Sequence, residues 1–65
     1  MNILATVEEF MSFVKDNDYK NVTLVTACSN EEFYSNLYSN FPEEMKSMNI
    51  TSIEFQPGNI KLYVL

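Results

Sequence analysis

Near the start of the chain, Ile3, Leu4, Val7, Phe10, Met11 and Val14 follow one another at steps of one, three and four residues. Steps of that size keep apolar side chains on one stripe of an α-helix. The pattern predicts a helix over "NILATVEEFMSFVKD", capped by Asn2, with Glu8, Ser12 and Lys15 facing water. Thr6-x-x-Glu9 has capping-box spacing and marks a shorter alternative. The longer helix is preferred because Ile3 and Leu4 extend the same stripe. Phe13 falls off the stripe and is expected to cover an edge. The polar "DNDYKN" then ends the helix.

The β-branched run "VTLVTAC" predicts a strand from Asn21 to Cys28. Val22 and Leu24 point one way and Val25 and Ala27 the other, so both faces are expected to be at least partly covered. Ser29-Asn30-Glu31-Glu32 again resembles a capping box, and Phe33, Leu37 and Phe41 follow at intervals of four. These features predict a second helix with those three residues in the core and Tyr34 and Tyr38 beside them. Pro42 suits the first turn of a new short helix, "PEEMKSM".

"TSIEFQ" and "IKLYVL" flank Pro57-Gly58-Asn59, which predicts an antiparallel hairpin with positive φ at Gly58. Ile53 and Phe55 share one face of the first strand; Ile60, Leu62 and Val64 share one face of the second. The order helix-strand-helix-strand-strand makes residues 1–65 a small single α/β (α+β) domain. About three strands form a mixed sheet with the helices on one face. The strand–helix–strand unit permits a parallel pairing, and the pattern leaves the strand order open.

Sixty-five residues hide only about 60% of their unfolded surface, near the lower limit for folding without staples. A hydrophobic content of 46% with a single glycine is nonetheless a folding composition. One cysteine forms no internal disulfide, which points to a reducing compartment. No basic stretch precedes an apolar core, so no secretory signal is read and a cytoplasmic location is expected. Apolar runs fall short of a membrane span. The sequons at Asn21 and Asn49 are read as chance.

Nine acids against four lysines give a net charge of −5, with no arginine, histidine or tryptophan. Nucleic-acid binders neutralise phosphates with Lys and Arg, so direct DNA or RNA binding is not expected, nor is binding to an anionic membrane. A basic protein partner is favoured instead.

Candidate chemistry is sparse. Cys28 lies between a predicted strand and helix, but the following Ser-Asn-Glu-Glu brings acids that oppose a thiolate, and no histidine exists to pair with it. One cysteine without histidine is a poor basis for zinc. No Gly-rich phosphate loop occurs, and "DNDYKN" lacks the glycine and terminal glutamate of a calcium loop. No catalytic residue, metal or cofactor is assigned, and no enzyme activity is expected.

Six of the nine acids stand in three pairs, Glu8-Glu9, Glu31-Glu32 and Glu43-Glu44, each followed by a large apolar residue. All three lie near the first turns of predicted helices, where the positive end of the dipole favours carboxylates. Helix punctuation is the default reading. The functional reading is an acidic edge for a basic groove, with Glu31, Glu32, Glu43 and Glu44 as its charges and Tyr34 and Tyr38 as anchors. In size, charge and lack of motifs the chain resembles the small acidic proteins that bacteriophages make to disable host DNA-binding proteins. That resemblance implies an inhibitor or DNA mimic acting on a basic, nucleic-acid-binding host protein. The alternative is an assembly subunit, a homodimer for example, burying Val25, Ala27, Tyr63 and Leu65 of the sheet face, with "IKLYVL" as an exposed edge strand.

Overall fold

A computed structural model describes residues 3–65. Its centre is one five-stranded mixed sheet in the order β1-β4-β5-β2-β3. The strands are β1 (Ala5–Thr6), β2 (Asn21–Thr26), β3 (Glu32–Leu37), β4 (Asn49–Gln56) and β5 (Asn59–Val64). Two short helices, α1 (Val7–Met11) and α2 (Glu43–Lys46), and 3-10 turns at Asn17–Tyr19 and Tyr38–Asn40 complete the fold. β2 runs parallel to β5, and the other pairings are antiparallel.

The first helix takes the shorter of its two forms. Ala5 and Thr6 are drawn into the sheet opposite Ile50 and Asn49, and Leu4 N–H donates to the Ile50 carbonyl at 2.8 Å. Thr6 therefore becomes the cap: its hydroxyl accepts from Glu9 N–H at 3.2 Å, and Glu9 accepts from Thr6 N–H at 2.9 Å. These bonds hold the Glu9 carboxyl below its ordinary pKa, the backbone donor first. Asn2, the cap of the longer helix, lies outside the described residues. Ile3 and Leu4, assigned to the buried stripe, are largely exposed, as is Phe13. At the other end, the Asn17 amide donates to the Met11 carbonyl at 2.9 Å and closes the helix.

The largest correction concerns the second predicted helix, which is strand β3. Ser29 and Asn30 do not cap a helix; they turn the chain back in a β2–β3 hairpin. Asn30 adopts a left-handed φ of 59° and its N–H donates to the Thr26 carbonyl at 2.7 Å, while Thr26 N–H donates to the Glu31 carbonyl at 2.9 Å. Intervals of four residues are even numbers, so they satisfy the two-residue repeat of a strand as well as the helical repeat. In the strand, Phe33 and Leu37 leave the core and remain 40% and 41% exposed. Phe41, beyond the strand, is the member of that trio that is buried. Asn, Ser, Phe and Tyr are mediocre helix formers, so local preference gives the helix little advantage over the sheet.

The C-terminal half matches expectation more closely. α2 follows Pro42, and β4 and β5 form the hairpin, with Ile53 opposite Leu62 and Phe55 opposite Ile60. Gly58 has φ +72°. β5, however, is no edge: it lies between β4 and β2, and the chain's exposed long edge is β3. The sheet has five strands where about three were expected.

Both helices and the Tyr38–Asn40 turn lie over one sheet face, and the Asn17–Tyr19 turn packs on the other 3-10 turn. Val7 and Met11 from α1, with Tyr38 and Phe41, close on Val22, Leu24, Ile50, Ile60, Leu62 and Val64, all buried. The opposite face is polar and internally bonded. Asn21 donates to Asn59 at 2.9 Å, Asn59 to Gln56 at 3.0 Å, and Thr23 and Ser35 share a bond of 3.0 Å. Tyr63 hydroxyl donates to Glu54 at 3.2 Å, and Lys61 reaches Glu32 at 3.3 Å. Both faces of β2 are covered, as expected: Val25 and Thr23 are buried beneath this polar layer. No buried side-chain nitrogen or oxygen among the described residues lacks a partner.

Candidate functional site

Tyr38 organises the helical layer. It opens the 3-10 turn that follows β3, its N–H donating to the Lys20 carbonyl at 2.9 Å. Its ring lies 5.5 Å from that of Phe41, and the Lys46 ammonium sits 5.3 Å from the ring centre. Burial raises the Tyr38 pKa, and the charges of Glu8, Glu43 and Asp18 raise it further. Those carboxylates come from three separate pieces of chain: α1, the Asn17–Tyr19 turn and α2. Lys46 offsets them in part through its contact with Glu43 at 3.9 Å.

The six residues expected to form one partner-binding edge are divided by this arrangement. Glu43 and Glu44 lie on α2, both exposed. Glu31 ends the β2–β3 turn and Glu32 begins β3, turned to the open sheet face by its pairing with Lys61. That contact, led by the hydrogen bond to Glu32, raises the Lys61 pKa. Tyr34 is half-buried, its ring meeting Phe41 edge-on at 4.9 Å. Tyr38 is only 7% exposed, so its ring serves the core and offers a partner almost no surface. Sequence reasoning missed Glu8 and Asp18 as neighbours of Glu43. No local signal carries that grouping, because it arises from the packing of α1 on α2 and of one 3-10 turn on the other.

The residues expected at an oligomer interface also separate. Val25 has no exposed surface, so in this fold it offers nothing to a second copy. Ala27 and Tyr63 are half-buried, with the Tyr63 hydroxyl already bonded to Glu54. Leu65 is exposed at the chain end. Cys28 is exposed in the β2–β3 turn, not at a helix start.

A cleft lies elsewhere, between the turn after α1 and the tip of the β4–β5 hairpin. This cleft has a volume of about 440 Å³ and is lined by residues between Val14 and Asn21 and between Phe55 and Ile60. Among the described residues, no three of His, Cys, Asp and Glu come together as a metal site, and no helix is long and apolar enough to cross a membrane. Comparison of the chain with protein-family models, with curated proteins and with solved structures gives no match.

Proposed function

We propose that the protein is a non-enzymatic binding module whose acidic helical layer engages a basic, nucleic-acid-binding protein and modulates or inhibits it. One observation carries this reading: α1 packs on α2 and the two 3-10 turns pack on each other, so that the charges of Glu8, Asp18 and Glu43, from three elements, all bear on Tyr38. Helix punctuation explains Glu8 and Glu43 individually, since each stands in a first turn. It does not explain why the two helix starts and an aspartate from a turn share one surface. With exposed Glu44 next to Glu43 on α2, these carboxylates outnumber Lys46, the cation beside Tyr38, and suit a Lys/Arg groove. In the sharpest form of the proposal they stand where DNA phosphates would bind.

The test is capture of partners from a nuclease-treated bacterial lysate by wild type and by a Glu8→Gln, Asp18→Asn, Glu43→Gln, Glu44→Gln variant. Wild type is expected to retain a basic protein that is released by salt and by added DNA, and the variant to lose it. A captured protein held equally well by the folded variant would refute the assignment of the site.

A further inference from the structure

The cleft between the turn after α1 and the hairpin tip has a chemistry unlike the rest of the molecule. The chain has four lysines. Two of them are neutralised at other places, Lys46 by Glu43 and Lys61 by Glu32. The other two, Lys15 and Lys20, line the cleft, and among the described residues neither makes an ion pair. No aspartate or glutamate lines it. In a chain of net charge −5, the unpaired cations therefore gather in one concavity.

The same cleft holds two exposed aromatic rings, Tyr19 at 81% and Phe55 at 70% exposure. Phe55 is steadied from behind by Phe10, at a ring separation of 6.2 Å. Val14 and Ile60 add apolar wall. Asn21, Gln56, Gly58 and Asn59 complete the lining. The volume of about 440 Å³ falls within the range of roughly 300–1,000 Å³ usual for small-molecule sites.

We propose that this cleft binds a small phosphorylated heteroaromatic ligand of the nucleoside monophosphate class, its ring against Tyr19 and Phe55 and its phosphate between Lys15 and Lys20. Two unpaired ammonium groups suit a phosphate monoester, which carries a charge of about −1.5 to −2, better than a single carboxylate. Exposed rings accept a planar base by stacking. A single nucleotide ends within the cleft. A polynucleotide would extend over a surface whose net charge repels it, so the site selects the monomer.

The decisive experiment is a titration of the isotope-labelled full chain followed by amide chemical shifts in low salt. The probes are adenosine monophosphate, adenosine, inorganic phosphate and a short single-stranded DNA. Adenosine monophosphate is expected to shift amides of residues 14–21 and 55–60, and to bind at least about tenfold more tightly than adenosine or phosphate alone. Lys15→Gln with Lys20→Gln is expected to weaken it by about tenfold, and Phe55→Ala by a similar factor, with shift dispersion retained. All three positions are exposed, so these variants should keep the fold. Absence of shifts at millimolar ligand, equal binding of adenosine, tighter binding of the DNA strand, or an unchanged affinity in the double lysine variant would each overturn the proposal. None of these outcomes bears on the acidic layer, whose test uses different residues and a protein partner.

Discussion

Replacing two leucines by alanine, Leu62 and Leu37, tests the fold most directly. Leu62 lies at the centre of β5 with no exposed surface, in register with Leu24 on one side and Ile53 on the other. Its truncation removes buried methyl groups and leaves a cavity that neighbouring strands cannot close, at a cost of roughly 2–5 kcal/mol. Leu37 ends β3 at the sheet edge and is 41% exposed. Water fills the space its side chain leaves, so only part of its transfer energy is lost, about 1 kcal/mol. A domain of this length has a total stability of roughly 3–10 kcal/mol. Leu62→Ala therefore removes a large fraction of it, and Leu37→Ala a small one. For domains of this size each kcal/mol moves Tm by about 4–8 °C. Thermal and urea unfolding followed by circular dichroism should place Leu62→Ala at least about 10 °C below wild type, or unfolded, and Leu37→Ala within about 8 °C of it. Equal losses at the two positions would refute the edge-strand geometry. They would favour instead an amphipathic helix with Leu37 in the core.

Two further outcomes follow from single residues. Gly58 has φ +72° with open space where a Cβ would stand; Gly58→Ala should therefore destabilise through the backbone alone, by about 1 kcal/mol in urea unfolding, and a neutral result would count against the turn. The Tyr38 phenol should titrate above its ordinary value, because burial and the charges of Glu8, Glu43 and Asp18 disfavour phenolate. A raised folded pKa means that stability is intact below the unfolded value of about 10 and falls as pH rises beyond it. Tyr38→Phe should flatten that alkaline loss; an unchanged pH profile of unfolding would show that Tyr38 is not the group responsible.

The site proposals depend on these packing relations to different degrees. The cleft is formed by two short stretches of chain, 14–21 and 55–60; Lys15, Tyr19 and Lys20 are exposed groups of the segment between α1 and β2, and Phe55 is exposed near the end of β4. The acidic layer needs the whole helical face, since Glu8, Asp18 and Glu43 are brought together only by the seating of α1, α2 and the 3-10 turns around Tyr38.

Several elements were legible in the sequence because their signals are local. β2 was marked by β-branched density, α2 by Pro42 followed by Glu43-Glu44, and the β4–β5 hairpin by Pro57-Gly58 between alternating apolar residues. The Thr6–Glu9 capping box was also present in the sequence, and it marks the true start of α1. What set aside the longer helix was tertiary: Ala5 and Thr6 gain sheet pairing with β4. β3 was not decidable from its own residues, because Phe33, Leu37 and Phe41 satisfy two periodicities at once. Only β2, offering Asn21 to Val25 as pairing partners, turned that ambiguity into a strand. Strand order belongs to the same class, since the parallel register of Val22 with Ile60 and Leu24 with Leu62 joins segments far apart in the chain. Composition alone sets the charge of −5 and the apolar content of the chain. Which acids stand together, and which lysines stay unpaired, was decided by tertiary structure, because charges on short elements are grouped by packing and not by spacing along the chain.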